Sequence, residues 1–231
     1  MRQLIMILLL AGALPVTAQV SPELWLGGGI KRALTPKLAA EASMNIRFYE
    51  PSLPGTLYPE LSLSWKIKDA VKLSADYRAI MDENKYGNYT MANRLNFNVD
   101  MRAKFRHFNL GMRVRYQTAF GALRTVNNYS PEFDQAFRFK PSVTIKLRKK
   151  SIFKPVIAGE WFYSPANEAL GDRFTKYRLS VGTEINLKGP REIDIKYIFG
   201  RNINLPRQKT EHILSVSYTY EWKKAEADKK K

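Results

Sequence analysis

Residues 94–106 read Arg-Leu-Asn-Phe-Asn-Val-Asp-Met-Arg-Ala-Lys-Phe-Arg. Every second side chain is apolar: Leu95, Phe97, Val99, Met101, Ala103 and Phe105. Between them stand Arg94, Asn96, Asn98, Asp100, Arg102, Lys104 and Arg106. Side chains along a strand point alternately to opposite faces, so a period of two divides this stretch into one apolar and one charged face. The stretch is therefore read as a β-strand.

The same alternation runs through Phe108–Phe120 and Tyr177–Leu187, and no helical periodicity of useful length follows residue 20. Extended along the chain, the pattern predicts strands near 22–32, 36–48, 57–68, 70–81, 89–106, 107–119, 135–148, 152–164, 172–188, 190–201 and 209–222. Connections alternate in length. The long ones carry the turn formers, among them Pro54-Gly55, Gly87-Asn88, Asn127-Asn128, Pro165 and Pro206. Short turns at one end and longer loops at the other are the pattern of outer-membrane barrels. Several strands exceed the roughly 9–11 residues that cross a bilayer, so they should project beyond it. The expected fold is all-β: a single antiparallel up-and-down membrane β-barrel of about 10–12 strands, with short periplasmic turns and longer outer loops. Eleven is an awkward count, because bacterial single-chain barrels are normally even. Either Gln19–Arg32, which contains Gly27-Gly28-Gly29, does not pair normally, or the count is off by one.

Alternation does not say which face is inside. Three features point the apolar face at lipid. The polar face mixes Arg, Asn, Ser and Gly with Asp and Glu, which suits a crowded lumen of paired charges. Aromatics gather near strand ends, at Trp65, Tyr77, Tyr116, Phe120, Trp161, Tyr163, Tyr197 and Phe199, as in an interfacial girdle. The last strand ends Tyr218-Thr219-Tyr220-Glu221-Trp222, like the C-terminal signal of outer-membrane barrels.

The first residues set the expected compartment. Arg2 precedes an apolar run from Leu4 to Leu14, Pro15 breaks it, and Val16-Thr17-Ala18 supplies small residues for a signal peptidase. The organisation expected is a signal peptide over 1–18, a barrel domain over 19–222 and a basic tail over 223–231. The absence of cysteine excludes disulfides, thiolate metal sites and a lipidated N-terminal Cys. The formal charge is +17 at pH 7, from 38 Lys+Arg against 21 Asp+Glu. Such a balance suggests an anionic partner. Export makes nucleic acid a poor one. The positive charge concentrates at the short turns, at Lys68, Lys104, Arg106, Arg148, Lys149, Lys150 and Lys188, and forms a basic rim. Its expected partners are outer-membrane lipid headgroups, an anionic periplasmic polymer or small anionic solutes. A device for orientation and solubility is the plainer reading. The barrel-insertion machinery is a further expected partner.

By parity the polar face holds Glu41, Arg47, Glu60, Asp76, Arg78, Arg94, Asp100, Arg102, Arg113, Arg115, Arg138, Glu160, Arg178 and Glu184, with Asp194 and Lys196. Buried charges must pair or stay hydrated. These residues are therefore expected to form a ladder of Arg–carboxylate pairs, or else to line an anion-leaning path. Eight-stranded barrels are filled by side chains and barrels of 16–18 strands hold channels, so a count near eleven leaves both open.

No catalytic site, cofactor or metal centre is expected. His107 lies in a tight turn. His212 opens the last strand, but Ser215 is three residues on and so faces the other side. One lone His per region cannot build a metal site. Gly27-Gly28-Gly29 lacks the Lys-Ser/Thr ending of a phosphate loop. The function expected is a narrow porin-like or structural outer-membrane protein with a charged lumen. The alternatives are a lipid-active enzyme of the outer membrane and a soluble periplasmic ligand-binding barrel.

Several short motifs together resemble a known family. They are Leu24-Trp25, Glu41 through Arg47-Phe48, Tyr77-Arg78, Arg94 with Asp100, and Arg113-Val114-Arg115-Tyr116-Gln117. The resemblance covers essentially the whole chain after the leader. It is to an uncharacterised exported barrel family, the domain of unknown function 2490. It implies an outer-membrane location with no assigned activity and supplies no catalytic residues. Gly27–Gly29 and the long basic tail depart from the family pattern.

Overall fold

The computed structural model describes residues 20–49, 54–83, 88–121, 134–147, 151–165, 173–205 and 209–222. The expected leader and basic tail lie outside these residues, as do Arg148, Lys149 and Lys150. The described residues form eleven strands: β1 (Val20–Ala33), β2 (Leu38–Phe48), β3 (Pro54–Lys68), β4 (Val71–Glu83), β5 (Tyr89–Lys104), β6 (Phe108–Gly121), β7 (Ala136–Ile145), β8 (Phe153–Ser164), β9 (Arg173–Asn186), β10 (Arg191–Asn202) and β11 (Thr210–Trp222). Each falls where the alternation placed it.

The strands close into one barrel in which sequence neighbours pair antiparallel and β1 meets β11. That closing seam is parallel, in register from Val20↔Thr210 to Arg32↔Trp222. It corrects the expectation of a wholly antiparallel barrel, and it dissolves the difficulty over strand count. An up-and-down chain of odd strand number returns with its last strand running the same way as its first. Closure can then only be parallel. β1 pairs on both sides, since from Leu24↔Phe48 to Ala33↔Ala39 it also runs antiparallel to β2. Closure leaves no exposed sheet edge, so backbone groups are satisfied within the wall.

Two of the β1 glycines sit where neighbouring strands come close. A Cβ on Gly27 would lie 3.0 Å from Asn45 Oδ1 and 3.2 Å from Ser217 Cβ. One on Gly29 would lie 3.0 Å from Ser43 Cβ, whereas Gly28, on the opposite face, has open space. A different need is met at the β9–β10 turn, where Gly189 takes φ +82 and lets the chain reverse before Pro190.

The faces sort as the parity argument requires. On β5, Arg94, Asn96, Asn98 and Asp100 are buried while Phe97, Val99 and Met101 are exposed. The molecule is inside out relative to a soluble barrel. Its buried set is rich in Arg, Glu, Asp and Asn, and its outer face carries Leu61, Leu179 and Val181, each at least half exposed. Aromatic pairs cluster at the loop end of this outer face, with Tyr116 against Phe137, Tyr163 against Phe174, and Phe199 against His212. At the short-turn end, Phe105 packs on Phe108. Phe108 and Phe120 end the same outer face of β6. At about 3.3 Å per residue and a tilt of about 40°, the band between them is roughly 30 Å tall.

Candidate functional site: the barrel interior

The interior has three levels. In the middle, charges pair across strands. Arg115 donates to Asn98 Oδ1 at 2.5 Å and reaches Asp76 at 3.2 Å. Asp76 also accepts from Asn98 at 2.9 Å and from Ser62 at 2.8 Å. The motif thus links β3, β4, β5 and β6. Arg78 pairs with Glu60 on the neighbouring strand. Arg138 donates to Glu160 through both Nε and Nη2, at 3.0 and 2.8 Å, and through Nη1 to Gln117 at 3.2 Å. Arg113 holds Asp100 at 2.6 Å, with Lys72 at 3.4 Å on the other oxygen. Hydrogen bonds between ionised partners are the strong form of this interaction.

Toward the loop end, arginines stack on aromatic rings. Arg47 lies 4.0 Å from the Trp25 ring centre and 5.2 Å from that of Tyr58. Arg78 also lies over Tyr58, at 5.1 Å. Arg138 lies over Phe162 at 4.4 Å. Arg178 touches both Phe162, at 5.3 Å, and Trp25, at 4.9 Å. The β8–β9 side of the barrel is thereby joined to β1 through the lumen. Among the bulkiest fully buried side chains are Arg94, Phe162, Lys176, Ile80, Ile213 and Gln117, all at this level. Glu211 ties the layer to the wall, accepting from Lys176 at 2.8 Å and Arg178 at 3.3 Å. The bridge passes over Gly200, where a Cβ would come within 2.8 Å of Glu211. Lys209 reaches Glu23 at 2.8 Å beside the seam.

Toward the short-turn end the side chains become small and the lumen opens. A cavity of about 370 Å3 is lined by residues of β5 to β10, and a second of about 250 Å3 by residues of β1 to β6. Arg113 borders both. Arg102, expected among the paired lumen charges, instead stands exposed at this mouth, and Glu184 is only half-buried on its wall. Glu41 faces Lys31 in register, but Lys31 pairs with Glu221 at 3.3 Å. Lys68, Lys104, Arg106 and Lys188 are exposed at the same end. Asp69 sits among them, its carboxyl held below the usual range by its hydrogen bond to Lys66 and by that ammonium's charge.

Parity reasoning missed Trp25, Tyr58, Phe162, Lys176 and Glu211. Leu24-Trp25-Leu26 and Trp161-Phe162-Tyr163 are unbroken apolar runs, so the binary pattern is silent about which member turns inward. Those interruptions were themselves the available signal. His212 lies on the outer face, hydrogen-bonded to the Tyr197 hydroxyl at 2.5 Å. Ser215, in register with Lys196, faces the lumen. Among the described residues no group of three His, Asp or Glu side chains could hold a metal ion.

A closed eleven-stranded barrel with ion-paired arginines inside and an apolar skin is the class that fold and interior define. Residues 23–210 match the family model described as "Protein of unknown function (DUF2490)", and the chain belongs to that family. No curated protein matches the chain.

Proposed function

We propose that this chain is an integral outer-membrane barrel, non-enzymatic, with an interior closed toward its loop end. The observation that carries the reading is the inverted polarity, with arginines and carboxylates buried and leucines, valines and phenylalanines exposed over a band of bilayer height. In water such a skin would be a large aggregation-prone surface. In lipid it is the stable face. A soluble binding barrel would carry the opposite arrangement. Between a narrow porin and a closed structural barrel, the Arg–aromatic layer around Trp25 favours the closed form. The partners on this reading are the surrounding lipids and the insertion machinery, which would engage the aromatic end of β11.

Fractionation tests it. The protein should sediment with outer membranes, leave them only in detergent, and migrate faster on a gel unheated than boiled. Release by salt or carbonate wash as a dispersed protein would rule it out.

A further inference from the structure

We infer that the short-turn half of the lumen is a binding basin for a compact, multiply charged phosphate-type oxyanion. The inference goes beyond the proposed function and stands on the interior geometry, wherever the barrel resides. Three observations carry it.

The first is shape. Gly111, Ser142, Ala158 and Ser180 stand side by side in register across β6, β7, β8 and β9. This row of small side chains opens the 370 Å3 space, which the bulky layer near Phe162 backs on the loop side. The basin opens toward the short turns.

The second is charge. Its wall carries Arg102, Lys104, Arg113, Lys140, Lys154 and Lys196 against Asp100 and Glu184. Asp100 is already taken by Arg113 and Lys72, and Lys196 pairs with Asp194. Arg102, Lys104 and Lys140 make no hydrogen bond or ion pair among the described residues. Lys140 feels Glu160 most strongly, a carboxylate it shares with Arg138. A cleft with one sign of charge and low-dielectric walls concentrates the opposite ion.

The third is the kind of donor. Ser142 and Thr144 add hydroxyls between the cations, and the lining contains no aromatic ring. The wall therefore offers point charges and hydroxyl donors but no stacking platform. That suits phosphate groups rather than a nucleotide base or sugar face.

The probe is inorganic pyrophosphate, titrated calorimetrically into the full barrel in a phosphate-free detergent. Salt is held at about 0.15 M, where exposed charges are screened beyond roughly 8 Å. We expect saturable binding. Lys140→Gln and Arg102→Gln should each weaken it about tenfold, the loss expected for one charge-assisted contact. Lys68→Gln, at the rim outside the basin, should leave it unchanged. Heat-modifiable migration identifies any variant that fails to fold, and Lys154→Gln then replaces it. A second arm reconstitutes the barrel with phosphatidylglycerol or with a neutral lipid. Loss of pyrophosphate binding only in phosphatidylglycerol assigns the basin to lipid headgroup phosphate, and equal binding assigns it to a soluble oxyanion. Absence of binding at this salt, or equal weakening by Lys68→Gln, overturns the inference. Neither result depends on the fractionation outcome, so the two readings fail separately.

Discussion

The Arg178 guanidinium on β9 lies 4.9 Å from the ring centre of Trp25 on β1, although β10 and β11 separate those strands in the wall. The contact therefore crosses the lumen instead of following it. Arg47 covers Trp25 at 4.0 Å, so the indole contacts two cations. A desolvated cation–π contact contributes about 2 kcal/mol.

Removing that ring should open the layer. Trp25→Ala is expected to cost about 3–5 kcal/mol, the usual loss for a large aromatic. It should also convert a barrel that is silent in planar bilayers into one with steady current. Equal silence in both forms would show that Trp25 does not close the path.

The outer face gives a depth-dependent prediction. Val181→Arg, in the middle of β9, should destabilise the barrel in vesicles by about 2–4 kcal/mol. Phe105→Arg, at the short-turn end, should cost about 0–1 kcal/mol. Urea unfolding of vesicle-inserted protein measures both. Equal small effects would contradict a lipid-facing Val181.

Inside the barrel the sign reverses, and losing a charge becomes the damaging change. Glu160→Ala strands Arg138, which donates to that carboxylate at 2.8 and 3.0 Å. Breaking such a buried pair costs about 3–5 kcal/mol. Asp69→Ala removes an exposed pair with Lys66 and should leave the unfolding midpoint where it was.

Two glycines separate packing from flexibility. A Cβ on Gly182 would lie 2.2 Å from the Ile195 carbonyl oxygen, whereas one on Gly28 meets nothing within 4 Å. Gly182→Ala should lower refolding yield and cost about 1–3 kcal/mol. Gly28→Ala should fold as well as the parent. The reverse order would contradict the register of β9 and β10.

Much of this architecture was legible because a strand writes its two environments into alternate residues. Leu95, Phe97 and Val99 against Asn96, Asn98 and Asp100 define a strand and its two faces without reference to any partner. The same logic identified Arg115 with Asp76 and Arg138 with Glu160 as interior charges, and the structure joins them at 3.2 and 2.8 Å. What parity cannot supply is contact across the lumen. Which carboxylate meets Arg178 depends on closure and shear, and its partner Glu211 is 33 residues away in sequence. The parallel seam was implicit in the odd strand count, but it required accepting that count. The basin was hidden for a third reason. Gly111, Ser142, Ala158 and Ser180 are unremarkable singly and become a row only once four registers are fixed.

Apolar outer residues should meet lipid while charged inner residues should not. The chain has no cysteine, so single cysteines can be placed along Tyr177–Ile185 of β9 and spin-labelled without background. In reconstituted vesicles, label accessibility should follow a period of two. Labels at 177, 179, 181 and 183 should collide with oxygen dissolved in the bilayer. Labels at 178, 180 and 184 should not, and those nearest the short turns should collide with a water-soluble nickel reagent. Nickel accessibility at the odd positions, or no alternation at all, would contradict it.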